Sequence, residues 1–356
     1  MMKKLLYISV LFLLLFTSCK SKRNLVSSLP QQEIKSDSTL LSDTIGLPSS
    51  LSPMLTFDQS NLRNIRRPPV KRSPKKVKKV EPVKPQKQIV QRGTKITSRT
   101  INVSSVYEGV SRVKVYDFTH RDVPAAFENF RIAFVSDLHY KSLLKEKGLN
   151  DLVRLLVAQK ADVLLIGGDF HEGCQYVPPV MAALAKVKTP MGTYAVLGNN
   201  DYEACYEDIV REMKSYGMHL LEHKVDTLKR DGEQILIAGV RNPFDLVQNG
   251  KSPTLDLSPD DFVILMTHTP DYAEDVPVTN SDLVLAGHTH GGQVTLFGLY
   301  APIVPSHYGQ RFLTGLKYNS RHIPMIITNG IGTSQKAIRM FAPAEVVMIV
   351  LHQLKD

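Results

Sequence analysis

Side chains of metal-ligating type follow five short apolar runs of this sequence. The runs 131–136, 161–166, 192–197, 262–267 and 283–286 are followed by Asp137, His139, Asp169, Asn199, His268, His288 and His290. The mixture of imidazole, carboxylate and amide oxygen favours borderline divalent cations such as Mn, Fe or Zn over Ca or Mg. Two such cations about 3.5–4 Å apart can share one carboxylate and hold both the attacking and the leaving oxygen of an in-line displacement. The sequence therefore predicts a two-cation centre.

The elements that must position these residues alternate between strands and helices. Short apolar runs predict buried strands at 131–136, 161–166, 192–197, 234–238, 262–267, 283–286, 323–328 and 346–351. Helical spacing of apolar residues predicts helices at 149–159 and 179–187. This order indicates a layered α/β fold with a mixed sheet. Ligands bind beyond the carboxyl ends of strands in such folds, so we expect the seven side chains to converge there.

Two pairs of ligand residues are separated by a single residue. Asp137 and His139 form one pair, and His288 and His290 form the other. On an extended backbone, residues at i and i+2 point to the same side. We therefore expect each pair to face the cluster from an extended segment.

The order of these residues resembles the calcineurin-like metallophosphoesterases. The matching motifs are Asp137-Leu-His139, Gly167-Gly-Asp169, Gly198-Asn-Asn-Asp201, His268 and Gly287-His-Thr-His-Gly291, and the resemblance covers roughly residues 110–352. Later segments, such as Tyr308-Gly309 and Asn329-Gly-Ile-Gly332, resemble a small bacterial branch of exported phosphoesterases. The resemblance implies a four-layer α/β/β/α sandwich in which helices flank two mixed β-sheets.

The resemblance also implies roles for the ligands. Asp137, His139 and His290 would hold one metal, Asn199, His268 and His288 the other, and Asp169 would bridge them. A bridging hydroxide would attack phosphorus in line, without a covalent enzyme intermediate. The implied activity is hydrolysis of a phosphodiester, phosphomonoester or pyrophosphate bond, with Mn as the expected metal and Fe or Zn as alternatives.

Asn200 departs from the family pattern. The family has His at this position, where it contacts the phosphate and assists the leaving oxygen. An amide donates a hydrogen bond but cannot act as a general acid near neutral pH. We therefore predict a preference for good leaving groups, with Asn200 as the residue in the catalytic position. The alternative is that another residue supplies the proton, and His171 is the candidate.

The N-terminus has the features of a bacterial lipoprotein signal. Two lysines, Lys3 and Lys4, precede a mostly apolar run at 5–16 that is short for a membrane span, and Thr17-Ser18-Cys19 follows. Residues 1–18 are thus predicted to be a signal peptide, with Cys19 as the lipidated first residue of an exported envelope protein. An uncleaved anchor and an ordinary signal peptide are the alternatives.

Residues 19–100 are predicted to be a disordered tether. Between 61 and 100 the chain has 14 basic residues and a single acid, Glu81, together with several prolines. No aromatic residue stands in this stretch to stack on bases, so nucleic-acid recognition is not expected. A tether held near an anionic envelope surface, to which the lipid anchor attaches, is the favoured interpretation. A soluble spacer without a partner is the alternative.

The predicted catalytic domain covers residues 101–356, which have 24 basic and 29 acidic residues. Cys174 and Cys205 follow Asp169 and Asn199 closely, so they are either paired in a disulfide at the rim of the cleft or two free thiols. His307 either lines the cleft or lies outside it. The remaining histidines are expected to be surface or packing residues: His120, His219, His223, His322 and His352. A non-catalytic, metal-stabilised binding lipoprotein is the alternative function, since Asn200 removes one catalytic group.

Overall fold

The computed structural model describes residues 93–241 and 250–355. The predicted signal peptide, the predicted lipidation site Cys19 and all of the predicted tether before Gly93 lie outside these residues. Within the described part of the chain, every helix is too short or too polar to cross a bilayer.

The first of two mixed sheets has seven strands. Their spatial order is β1 (Thr94–Asn102), β2 (Arg112–His120), β13 (Glu345–Gln353), β3 (Phe130–Val135), β4 (Val163–Ile166), β5 (Thr193–Ala195) and β6 (His219–Leu220). Strands β3 to β6 are parallel, and β13 runs antiparallel to β3. The parallel strands therefore end at one common edge.

The second sheet has six strands. Their order is β11 (Gly315–Tyr318), β12 (Pro324–Ile327), β10 (Leu283–Ala286), β9 (Val263–Met266), β8 (Glu233–Gly239) and β7 (Lys224–Arg230). Strands β8, β9, β10 and β12 are parallel, whereas the outer strands β7 and β11 are antiparallel to their neighbours. The two sheets pack through a core of fully buried side chains that includes Phe118, Phe134, Ile264 and Leu285.

Helices cover the outer faces of both sheets. On the first sheet lie α1 (Glu146–Ala158), α2 (Val177–Leu184), α3 (Asn199–Ala204) and α4 (Tyr206–Ser215). Helix α1 buries Leu149, Leu152 and Leu156 on one face, which anchors it to the sheet. The second sheet is covered by the short helix α5 (Tyr272–Asp275) and by 3-10 turns at Pro253–Asp256 and Gly309–Phe312. The predicted mixed α/β class, with two sheets between helical layers, is confirmed, although the second outer layer is thin.

The start of the folded domain was predicted too late in the chain. Strand β1 begins at Thr94, and its nine residues pair antiparallel with β2 from Thr94 opposite His120 to Asn102 opposite Arg112. Its side chains are mostly exposed, because it is the edge strand of the sheet. Without a buried apolar face, its Lys, Arg and Thr residues resemble the composition of the tether. Residues 94–100 therefore belong to the domain.

Candidate active site

The seven predicted ligands lie at the carboxyl ends of strands from both sheets. Asp137, His139, Asp169 and Asn199 follow β3, β4 and β5 of the first sheet, whereas His268, His288 and His290 follow β9 and β10 of the second. Six of them form two groups whose ligand atoms lie within 4.8 Å of one another: Asp137 with His139 and His290, and Asp169 with His268 and His288. Packing of the two sheets thus brings the predicted residues together.

Asp169 lies between the two groups. Its Oδ2 is 3.3 Å from Nε2 of His139, in the first group, and 3.3 Å from Nε2 of His268, in the second. Within the first group, Nε2 of His290 is 3.4 Å from Oδ1 of Asp137. Within the second, Nδ1 of His288 is 3.2 Å from Nε2 of His268. A carboxylate in this position can serve cations on both sides.

Asn199 and Asn200 begin helix α3 beside Asp169. The backbone N–H of Asn200 donates to Oδ1 of Asp169 at 3.0 Å, and the Asn199 amide donates to Oδ1 of Asn200 at 3.0 Å. Oδ1 of Asn199 is buried without a hydrogen-bond partner among the described residues. A buried unpaired acceptor is costly unless a ligand satisfies it, so this oxygen fits a cation. Nδ2 of Asn200 lies 3.2 Å from Nδ1 of His139, which places Asn200 at the centre.

Two carboxylates for which the sequence analysis proposed no role lie behind the predicted ligands: Glu172, and Asp201, the last residue of the motif that begins at Gly198. Glu172 lies 2.6 Å from Nδ1 of His139, which leaves Nε2 of that ring facing Asp169. Asp201 accepts backbone N–H bonds from Gly198, Asp169 and Phe170 at 2.7–3.0 Å, and so joins the loops after β4 and β5. Carboxylates behind metal-binding histidines fix the tautomer and the orientation of the ring. No motif or periodic pattern in the sequence pointed to Glu172, which lies three residues after Asp169.

The backbone at the ligands corrects the prediction of extended pairs. Five ligands have positive φ angles: Asp137 (53°), His139 (39°), Asp169 (57°), His288 (66°) and His290 (53°). L residues adopt this region at a cost, and such residues concentrate at functional sites. The i and i+2 pairs therefore do not share one face of a strand, and His288 and His290 serve different groups.

Two glycines allow the loops to approach the ligands. A Cβ on Gly198 would lie 2.0 Å from Oδ1 of Asp169, and one on Gly287 would lie 2.3 Å from Oδ2 of Asp137. Both distances are far inside van der Waals contact. Any larger residue at either position would displace a ligand.

The charge distribution suits cation binding. Burial opposes protonation of His139, but Asp169 and Glu172 outweigh it and raise its pKa to about 10. Burial lowers the pKa of His288 to about 3, and that of His290 falls well below its usual range for the same reason. The site thus holds two neutral imidazoles and a concentration of carboxylates that attracts positive charge. A divalent cation can take the place of the proton that Asp169 and Glu172 attract to His139.

His171, the alternative candidate for the proton donor, is a buried residue. It is 3% exposed, its Nδ1 accepts the backbone N–H of Gly173, and its Nε2 lies 3.7 Å from Oδ1 of Asp201. Both ring nitrogens of His171 thus face groups of the protein, and its role as the acid that replaces the family His stays a prediction. His307 is 86% exposed, and its backbone N–H is bonded to Asp271.

His120 was expected to be a surface or packing residue, and the structure buries it at the opposite end of the sheets. Its Nδ1 lies 3.5 Å from Oδ2 of Asp122, and its Nε2 lies 3.7 Å from Oδ1 of Asp282. The ring also packs against Phe118 and Phe262. Packing accounts for its position.

Cys174 and Cys205 form a disulfide. The bond joins the loop after Asp169 to the junction of α3 and α4, six residues after Asn199. Of the two alternatives for these cysteines, the structure selects pairing. The bond ties together the two loops that carry Asp169 and Asn199.

Comparisons with known proteins agree with the motifs. The family model described as calcineurin-like phosphoesterase matches residues 130–292. A metallophosphoesterase of Helicobacter pylori strain J99 is 29% identical over 252 residues, which are 69% of this chain and 65% of that protein. The metallophosphoesterase YkuE of Bacillus subtilis strain 168 is 28% identical over 64% of this chain and 81% of its own length. The phosphodiesterase YaeI of Escherichia coli K12 is 29% identical over 62% of this chain and 82% of its own length.

The matched region contains all seven predicted ligands. Residues 130–292 of the chain thus match the calcineurin-like phosphoesterase family, and within them lie the residues that the structure clusters as possible metal ligands.

Proposed function

We propose that this protein is a dinuclear metal-dependent hydrolase of phosphodiester bonds. The observation that carries the proposal is the position of Asp169, whose Oδ2 is equally distant from a histidine of each ligand group. The name of the E. coli relative, a phosphodiesterase, supports the diester over the monoester and the pyrophosphate.

The ligand set fits two divalent cations, with Mn preferred and Fe or Zn as alternatives. One cation would be held by Asp137, His139 and His290. The other would be held by Asn199, His268 and His288, and Asp169 would bind both. When bound, such cations supply an activated water and neutralise phosphoryl oxygens.

The residues around the ligands orient them and the substrate. Glu172 holds the His139 ring, and Gly167 accepts from Nδ1 of His268 at 2.7 Å, so both rings present Nε2 to Asp169. The Asn200 amide faces the same centre and can donate a hydrogen bond to a phosphoryl oxygen, but it cannot protonate the leaving group. We therefore expect the protein to prefer phosphodiesters that have a good leaving group.

We also propose that the protein is an exported lipoprotein that acts near a membrane. The apolar run at 5–16 followed by Cys19 motivates this proposal. The disulfide between Cys174 and Cys205 supports it, because such bonds persist in oxidising compartments outside the cytoplasm. Incorporation of labelled fatty acid into the wild type but not into Cys19→Ala is expected; equal labelling of the two would contradict lipidation at Cys19.

The substrate class is tested with matched activated compounds. Purified full chain is assayed with Mn, Fe or Zn against a bis-aryl phosphodiester, the corresponding aryl monoester and pyrophosphate. We expect the diester to turn over fastest, and only with added metal. A faster monoester would overturn the diester assignment, and no metal-dependent turnover of any compound would favour a binding protein.

A further inference from the structure

Large apolar side chains are exposed on the loops that follow His290. Phe297, Leu299 and Ile303 are 77%, 84% and 78% exposed, and Ile338 and Phe341 on a second loop are also more than half exposed. Single exposed apolar residues are ordinary on protein surfaces, but a concentration on neighbouring loops marks an interaction surface. We call these five residues the apolar rim.

The two loops of the apolar rim are tied to each other. Val294 forms a bridge with Met340, the N–H of Thr295 donates to the carbonyl of Met340 at 3.0 Å, and the rings of Phe297 and Phe341 lie 5.5 Å apart. Phe297 and Phe341 both have left-handed backbone angles, with φ of 55° and 54°. This region is unfavourable for a bulky L residue, so the loops hold these two aromatic side chains outward against a local preference.

The same loops are fastened to the candidate active site. Arg339, between Ile338 and Phe341, donates to the carbonyl of His290 at 3.1 Å and to that of Asn329 at 2.9 Å. Gln293, three residues after His290, donates to the carbonyl of Lys336 at 3.0 Å. The base of the apolar rim is therefore fastened to the loop that carries His290.

The apolar surface continues beyond Phe341. A groove of about 540 Å³ is lined mainly by apolar residues, among them Val110, Leu143, Phe341 and Pro343, with Glu108 and Arg339 also on its wall. Leu143 is itself exposed. The groove shares Phe341 with the apolar rim, so the two form one surface.

The charge of this region favours an anionic partner. Residues 287–344 contain five basic and no acidic residues, whereas the rest of 101–356 contains 19 basic and 29 acidic residues. Two of the five are engaged within the protein, because Arg311 pairs with Glu274 and Arg339 donates to backbone carbonyls. The positive charge offered to a partner is therefore that of Lys317, Arg321 and Lys336. Lys336 is exposed beside Ile338. Apolar side chains that insert beside cationic ones bind lipid surfaces through both effects, and anionic lipids strengthen the attachment.

We propose that the apolar rim inserts into the surface of a lipid bilayer containing anionic lipids, and so presents the active site to phosphodiesters at that surface. The proposal rests on the proposed phosphodiesterase function for its biological purpose, but the docking itself is measured without any turnover. The substrate class is a phosphodiester whose phosphate lies at the headgroup level of a membrane.

The protein contains no Trp, which allows a direct test. Phe297→Trp and Leu299→Trp each place one Trp on the apolar rim of the full chain. The control is Tyr216→Trp, which is also partly exposed but lies at the end of α4, just before β6 begins and away from the carboxyl ends of the strands. The proteins are mixed with vesicles of phosphatidylethanolamine and phosphatidylglycerol whose acyl chains carry bromine, a quencher that acts at short range.

We expect brominated vesicles to quench Trp at 297 and 299 but to leave Trp at 216 unquenched in equally vesicle-bound protein. Unquenched Trp at 297 and 299 in vesicle-bound protein would overturn the proposal. If those two positions instead become shielded with rising protein concentration while sedimentation shows a dimer, the surface binds a second copy, and the proposal is also overturned.

A second measurement separates docking from catalysis. Leu299→Ser should lower the ratio of turnover of a vesicle-embedded phosphodiester to turnover of the soluble aryl diester by roughly tenfold, from the lost burial of one apolar side chain. An unchanged ratio would contradict docking. If no variant hydrolyses the soluble diester, the proposed function fails, and the quenching experiment still decides the membrane contact.

Discussion

At the scale of single residues, the proposed attack on phosphorus and the proposed departure of the leaving group depend on different side chains. Asp169 and its neighbours supply ligands from both sheets, whereas Asn200 supplies only an amide beside His139. His171, the other candidate for the acid, lies near Asp201. The proposed departure of the leaving oxygen can be tested directly at Asn200.

Asn200→His should restore an acid at this position. General acid assistance contributes on the order of 10²–10⁴-fold and matters most for poor leaving groups, so turnover of alkyl esters should rise relative to aryl esters. Steady-state rates on matched alkyl and aryl phosphodiesters measure the ratio. Asn200→Gln, which keeps the amide, is the control. An alkyl-to-aryl ratio that is the same in the His variant and the wild type would refute the assignment.

Glu172→Gln should weaken metal binding by roughly 10–100-fold. The substitution removes the carboxylate 2.6 Å from Nδ1 of His139, and with it the charge that orients the ring. Calorimetric titration with Mn measures the affinity directly. Glu108→Gln, which changes an exposed carboxylate that pairs with Lys147, should leave it unaltered. Equal affinities in the two variants would show that Glu172 does not position His139.

At the scale of elements, the strand ends and the glycines beside them set the ligand geometry. Asp169 and Asn199 lie in the turns that follow β4 and β5. These turns leave no room for a side chain at Gly198. The disulfide and the Asp201 carboxylate join the same two turns. These links fix the two turns relative to each other.

Gly198→Ala should abolish most of the activity while the protein still folds. The backbone of Gly198, with φ of −94° and ψ of 179°, is open to Ala, so the effect is steric pressure on Asp169 and on His268, whose Cε1 would lie 2.6 Å from the added Cβ. Gly217→Ala is the control, because its Cβ would contact nothing within 4 Å. Its φ of 68° should cost on the order of 1 kcal/mol in the free energy of unfolding and leave turnover unchanged. Turnover and thermal unfolding are measured for both variants. A Gly198→Ala variant as active as the wild type would contradict the steric argument.

Strands with unbroken runs of buried side chains were predictable from the sequence. Strand β2 and helix α4, which have one buried and one partly exposed face, were missed, and so were the exposed edge strands. The run 283–286 matches β10 residue for residue, because every one of its side chains is buried. Strands β1 and β7 bury few side chains and lie at sheet edges, so no apolar pattern marked them. Likewise, the ordered motifs include all six residues that the structure brings into the two groups. Glu172 and the left-handed backbone at Asp137 and His139 depend on contacts between loops, which spacing along the chain cannot express.

At the scale of the whole molecule, ionisable groups are also buried far from the centre. Burial raises the pKa of Asp282 to about 7, although the N–H of Val263 donates to it at 2.8 Å. His120 and Asp122 face the same carboxylate. Because this group titrates differently in the folded and unfolded chain, it makes stability depend on pH.

Asp282→Asn should remove part of that dependence. Between about pH 4 and pH 7 the unfolded chain has released the Asp282 proton while the folded protein retains it. The free energy of unfolding therefore falls as pH rises through this window, and the wild type should lose stability relative to the Asn variant. Denaturant unfolding at several pH values measures the difference. Asp231→Asn, at an exposed turn, should give no such trend. A stability difference between the wild type and Asp282→Asn that stays constant with pH would contradict the assignment.

The most direct test of the proposed chemistry is hydrolysis of a bis-aryl phosphodiester with added Mn by the wild type and by Asp169→Ala. Asp169 is the carboxylate that both ligand groups share, so its removal should disable the centre as a unit. We predict Mn-dependent turnover by the wild type and a loss of at least roughly 10³-fold in the variant, in the range of losing a principal electrostatic group. Equal rates in the two proteins, or no turnover by either, would contradict a phosphodiesterase built on Asp169.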